Sequence, residues 1–251
     1  MREKYKWIIV YIIPFLYLVM CLYLCDIGSN YVAYLNNHKT AMNRSQEKPL
    51  RDNWKIVIGS LDQSEYSNIF LIFDLLPSFT GLVLIIWQIV ALVQRRANYV
   101  IHLLFGEGTL LLVNGILHTA TVFPDSRDNN PYCRDPEKAV YGSWIFYPSS
   151  IRFCGDMVWS GHTAHLLLCI IFIYWISQSY KSLNRKAFQY SYICIGLFLV
   201  LIEMNFLVIF SSHYTIDVVV AFLVVGLFLT HQKFHQYVDN YIYLIKVHLH
   251  L

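Results

Sequence analysis

Apolar residues in this chain come in long blocks, without the strict alternation of a half-buried strand or the narrow stripe of a soluble amphipathic helix. Six blocks stand out, at 7–24, 69–93, 100–122, 163–177, 190–210 and 214–230. Each is long enough, or nearly so, for the ~20 residues that carry an α-helix across a bilayer. Backbone groups in hydrocarbon have to be satisfied within their own segment, so the blocks predict helices. The expected architecture is all-α: a polytopic membrane protein with six transmembrane helices, built as one domain over residues 1–251. Its working core falls at about 69–232, and 233–251 is a cytosolic tail of aromatic, aliphatic and His residues that could lie in the membrane interface.

The polar connections orient the blocks. Arg2, Lys4 and Lys6 precede the first block and put the N-terminus in the cytosol. Three connections should then be cytosolic, and the short ones hold Arg95, Arg96, Lys181, Arg185 and Lys186 with no acid among them. The opposite side mixes signs: the 123–159 loop sets Arg127, Arg134, Lys138 and Arg152 against Asp125, Asp128, Asp135, Glu137 and Asp156. A cleaved signal peptide is the alternative for the first block, but its apolar stretch is long for one and no A-x-A site follows. The exoplasmic loop 26–68 carries the sequon Asn43-Arg44-Ser45, a candidate glycosylation site at Asn43. Cys133 and Cys154 share the later exoplasmic loop, where an oxidising lumen would allow a disulfide; two free thiols are the equal alternative.

Composition narrows the class further. Of the 251 residues, 57% are hydrophobic and 14% charged, against about 25% charged in a typical soluble domain. A formal charge of +3 is too small to argue for nucleic acid, and the expected partners are membrane lipids. There is no P-loop or dinucleotide glycine motif, no heptad array and no internal repeat.

Two block boundaries carry the chemistry. Cys154-Gly-Asp-Met-Val-Trp-Ser-Gly-His-Thr163 leads straight into the fourth block, and His213-Tyr-Thr-Ile-Asp217 opens the sixth. The topology puts both on the exoplasmic side. At the first, an imidazole, hydroxyls and helix N-terminal amides gather where an anion can be held. At the second, His213 and Asp217 are four apart and share a helical face, so the carboxylate can orient the imidazole and stabilise its charged form. Read as phosphoryl-group transfer, His213 is the nucleophile, Asp217 its orienting partner and His162 the acid and base. Ser160, Gly161, Thr163 and Tyr214 would contact the substrate, and Asp156 could orient an imidazole or an ammonium headgroup.

Blander readings compete. A lone Ser-Gly-His-Thr is most often a helix cap. His162 and His165, three apart, could join His213 and Asp217 as zinc ligands, but no thiolate or carboxylate has matching spacing, and no metal or cofactor is expected. A Ser-His-Asp hydrolase through Ser160 lacks the glycine elbow. Asp74, Glu107, Asn114 and Glu203 read as intramembrane hydrogen-bond partners.

On these residues the chain resembles the sphingomyelin synthase family, a branch of the lipid phosphatase and phosphotransferase group. Cys154, Gly155, Asp156, Ser160, Gly161, His162 and Thr163 match its C-G-D-x-x-x-S-G-H-T motif, and His213, Tyr214, Thr215, Asp217 and Val218 match H-Y-T-x-D-V. Arg95-Arg96, Gly108-Thr109 and Pro124 echo a further region. Departures are Asn114 where the family commonly has Arg, Ser212 in place of an acid, and Asp74-Leu-Leu-Pro77 as the only echo of P-L-P-D.

The resemblance implies that phosphocholine moves from a phosphatidylcholine donor to the ceramide acceptor through a phospho-histidine, giving sphingomyelin and diacylglycerol. It also implies a Golgi or plasma-membrane enzyme with a lumenal or exoplasmic site and room for a homo-oligomer. A ceramide phosphoethanolamine synthase or an inositol phosphorylceramide synthase remains open, since the motifs do not read the headgroup. The rivals are a lipid phosphate phosphatase, for which the expected Arg before His213 is Leu207, and a non-enzymatic membrane homologue.

Overall fold

The regular elements of the computed structural model are α-helices, within the described residues 10–25, 27–28, 51–59, 67–93, 97–120, 160–178, 186–210 and 213–249. In chain order they are α1 (Val10–Cys25), α2 (Asn53–Ile58), α3 (Ser67–Val93), α4 (Ala97–Ala120), α5 (Gly161–Gln178), α6 (Lys186–Ile209), α7 (Thr215–Thr230) and α8 (Gln232–Leu249). The second, short helix starts at Asp52, whose carboxylate accepts from the N–H groups of Trp54 and Lys55. It stops at Gly59, whose φ of 85° is a left-handed conformation that glycine adopts without a Cβ clash.

α5 is the centre of the bundle, packing against α3, α4, α6 and α7. Its Leu166, Leu167, Leu168, Cys169, Ile170, Phe172 and Ile176 are all buried. A helix apolar on every side is one surrounded by other helices. Between helices that are as apolar as lipid, close backbone approach replaces the hydrophobic effect, and small residues permit it. Gly196 of α6 sits where a Cβ would come within 2.8 Å of Ile170 on α5. α1 lies on α4 in the same way: a Cβ at Gly115 would meet the Cα of Cys25 at 2.9 Å, and one at Gly108 the ring of Tyr17 at 2.8 Å. Thr109 gives its own hydroxyl proton to the Phe105 carbonyl, so the 3.0 Å contact with Tyr17 has the phenol as donor.

The outer surface is apolar: Phe15, Phe79, Ile195 and Phe198 are all exposed. Three helical segments are long and apolar enough to cross a bilayer, Asn98–Leu117, Gly161–Gln178 and Lys186–Ile209. A fourth crossing is available if α7 and α8, bent by 51° at their junction, are taken as one span. Val10–Cys25 and Phe79–Val93 are shorter apolar stretches. The chain is thus an integral membrane protein, all-helical among the described residues with three to four candidate spans there, where hydropathy predicts six.

The tail at 233–251 falls largely in α8, which docks on α4 and α7. Its Phe234, Val238 and Ile242 are buried, and the Tyr241 hydroxyl donates to the Val10 carbonyl at 3.3 Å. Beside it, His102 of α4 places Nδ1 2.8 Å from the Asn98 carbonyl and Nε2 3.5 Å from Asp239. Between α4, α7 and α8 lies a mostly apolar cavity of about 760 Å³, reached by Thr109, Leu227 and Lys233 and by no described residue of either motif.

Candidate functional site

The described part of the first motif, 160–163, and the second motif form the N-terminal turns of helices, and the helices are neighbours. In the first, Ser160 caps α5: its Oγ accepts from the Thr163 N–H at 3.3 Å and from the Thr163 hydroxyl at 3.1 Å, and its carbonyl takes the Ala164 N–H at 3.0 Å. Both hydroxyl side chains are fully buried. The cap leaves Gly161 exposed and His162 half-buried on the first turn, where backbone amides point out of the helix end.

In the second motif Tyr214 is extended, with φ −77° and ψ 155°, and precedes the first turn of α7. Asp217 folds back so that its Oδ2 accepts from the Tyr214 N–H at 2.8 Å, the carboxylate half of a capping box. The same oxygen lies 3.6 Å from Nδ1 of His213. That is just longer than a hydrogen bond, but it aims the charge at one ring nitrogen and leaves Nε2 as the other face. Asp217 is fully buried, and His213 and Tyr214 nearly so.

The two turns are joined directly. The Ser160 N–H donates to the main-chain carbonyl of Asp217 at 3.3 Å, so the start of α5 and the start of α7 meet at one end of the bundle. Ser160, Gly161, His162, Thr163, His213, Tyr214 and Asp217 are thereby brought to a single place. Asp156, Cys133, Cys154 and Asn43 lie outside the described residues.

One residue at this place escapes sequence reasoning. Asp52 reaches α7 with both oxygens: Oδ2 accepts from the Thr215 N–H at 2.6 Å and Oδ1 from the Thr215 hydroxyl at 2.9 Å. The same carboxylate caps α2, so one side chain ties two helix starts together. Burial alone would push its carboxyl up, but the bonds from Thr215, Lys55 and Trp54 outweigh it and hold Asp52 below the usual carboxylate range. α2 is secured further by Trp54 Nε1, which donates to Asn205 Oδ1 of α6 at 3.1 Å, and by Ile58, which packs on Leu207, Val208 and Val218. The signal available was an Asp just before a short apolar run, a helix-start pattern, set in a loop of mixed charge with nothing to say what it touches.

Among the intramembrane polar residues, Asn114 makes a hydrogen bond of the expected kind. Asn114 Nδ2 donates to Cys25 Sγ at 3.6 Å, and Glu107 faces His165 across 4.0 Å. Glu203 is fully buried. His165 is therefore turned toward α4, and no group of three or more His, Cys, Asp or Glu side chains suited to a metal occurs among the described residues.

Residues 153–234 match the PAP2 superfamily C-terminal family model. A Caenorhabditis elegans protein named "Putative phosphatidylcholine:ceramide cholinephosphotransferase 3" is 29% identical over 142 residues, 51% of this chain and 39% of its own length. A Trypanosoma cruzi phosphatidylinositol:ceramide inositolphosphotransferase is 30% identical over 118 residues, 46% of this chain and 33% of its own. The human phosphatidylcholine:ceramide cholinephosphotransferase 1 is 33% identical over 92 residues, 35% of this chain and 19% of its own. The alignments thus span less than half the length of these relatives, all of them named as phosphotransferases acting on ceramide.

Proposed function

We propose that this sphingomyelin synthase-like chain is a ceramide phospho-headgroup transferase whose reaction runs at the joined N-termini of α5 and α7. The observation that carries this reading is the Ser160 to Asp217 hydrogen bond. It supports a single site in which two histidines from distant parts of the chain serve one phosphorus. His213 Nε2 attacks the phosphorus of the donor phosphodiester while the bond to the diacylglycerol oxygen breaks, and His162 gives that oxygen its proton. Asp217, facing Nδ1, stabilises the positive charge on the phosphorylated imidazole. The primary hydroxyl of ceramide then attacks the same phosphorus, its proton passes to His162, and the P–N bond breaks to restore neutral His213. Amides of the first turn of α5, Gly161 among them, face the phosphoryl oxygens. Both proton transfers and the covalent step are supplied by side chains, so the scheme calls on no cofactor.

A diester substrate fits the position where a monoester phosphatase would carry an extra cation. That residue is Leu207, buried in an apolar cluster with Val208 and Val218, and its carbonyl accepts the His213 N–H at 3.3 Å. A dianionic monoester needs the additional charge more than a singly charged diester does. Phosphocholine from phosphatidylcholine is the first choice of headgroup. The similarity to an inositolphosphotransferase favours phosphatidylinositol as the second.

Incubating the purified protein with fluorescent ceramide and, in turn, phosphatidylcholine, phosphatidylethanolamine and phosphatidylinositol tests both points. A fluorescent phospholipid-like product with one donor identifies the headgroup. His213→Ala should abolish it, since loss of a covalent nucleophile leaves no chemical route, and retained turnover would remove His213 from the mechanism.

A further inference from the structure

Two polar residues that neither motif uses, His165 and Glu107, meet about one turn below the first of them. His162 and His165 are three apart on α5 and so share a face, with His165 deeper by about 4.5 Å along the helix. Its Nδ1 lies 4.0 Å from Oε1 of Glu107 on α4. Its Nε2 lies against α3 at Gly81, where an added Cβ would approach to 2.9 Å. Three helices therefore meet at one imidazole, and α3 presents a glycine there because nothing larger fits.

The Glu107 and His165 pair does not look like a strut. A pair that only bound helices together would be closed to hydrogen-bonding distance and shut away from its surroundings. Here the gap exceeds a hydrogen bond, and the side chains remain 26% and 34% exposed. An open carboxylate and imidazole within a membrane bundle are expensive unless a polar group comes to them.

We propose that Glu107 and His165 form the subsite that recognises the acceptor lipid by the polar groups next to its primary hydroxyl. The inference rests on the transferase reading above, because the acceptor's depth is set by its hydroxyl meeting His162. The next polar groups of a ceramide, an amide N–H and a secondary hydroxyl, then lie a few bonds deeper, at the level of His165. Both are donors, and the Glu107 carboxylate accepts. Diacylglycerol, the other alcohol present in the reaction, offers only ester oxygens at that level. A site built to accept hydrogen bonds discriminates against the analogue that lacks them, because its own polar group is then left unsatisfied.

The test is a binding titration of a short-chain fluorescent ceramide, and of an analogue lacking the secondary hydroxyl and methylated on the amide nitrogen, into wild-type protein, E107Q, H165M and G81A. Wild type should prefer ceramide by roughly tenfold or more. The variants E107Q and H165M should lose most of that preference by weakening ceramide and sparing the analogue, which also shows that they remain folded. G81A, which displaces the ring without removing it, should fall between. A preference kept at the wild-type level in E107Q, or no preference in wild type, would overturn the subsite. Turnover with the donor panel tests the transferase reading separately, so the two can fail independently.

Discussion

At the scale of single residues, the site depends on carboxylates used twice. Asp217 satisfies the Tyr214 N–H and faces His213 with the same oxygen, so the group that caps the helix also lies beside the imidazole. Asp52 does likewise for α2 and α7. Replacing Asp52 by Ala removes both caps, and each is worth about 1 kcal/mol. Thermal melting in detergent should show the loss, and the proposed transfer activity should fall with it. The sign of the pH effect follows from the depressed Asp52 carboxyl: its stabilisation is whole above the unfolded value of about 3.9 and fades only as pH falls through the lower folded value. The melting difference between wild type and Asp52→Ala should therefore hold between pH 7 and 5 and narrow only in stronger acid. A difference that vanished by pH 6 would show that another group sets it. That His162 and His213 lie at helix starts was legible in the sequence, because the ends of apolar runs are a local signal; the second contact of Asp52 was not, because a capping Asp looks the same whichever second helix it serves.

At the scale of elements, glycine spacing matters more than hydropathy. Gly108 and Gly115 lie two turns apart on α4 and let α1 approach to backbone distance. Gly115→Ala drives a methyl into the Cα of Cys25, and main chain cannot swing aside as a side chain can. Overpacking of this kind costs about 1–3 kcal/mol. Gly226→Ala is the matched control: nothing lies within 4 Å of its Cβ, so it should be neutral or raise stability by up to about 1 kcal/mol through helix propensity. Comparing the two melting temperatures checks the close approach, and equal effects would refute it. Six of the eight described helices, α1 and α3 to α7, were readable from apolar run length, whereas α2 and α8 fall in stretches that hydropathy reads as polar. The bend between α7 and α8 was not, because the polar residues after Thr230 read equally as an end of structure or as a turn into another helix.

For the molecule as a whole, charge asymmetry predicts that α5 and α7 begin on the exoplasmic side. In cells with a secretory pathway, Asn43 should then be glycosylated, and a sequon engineered beside Arg185 should stay bare; gel mobility before and after glycosidase treatment reads both, and the opposite pattern would invert the orientation. The chain alone determined that this is a helical membrane protein with two histidine motifs at helix starts, since hydropathy, caps and motif spacing are local properties. Only the tertiary structure decided that Ser160 bonds to Asp217, that Asp52 holds Thr215, and that Glu107, His165 and Gly81 converge. Each of those contacts joins residues far apart in the chain, and which side chains meet is settled by how whole helices pack, a property that no local window of sequence contains.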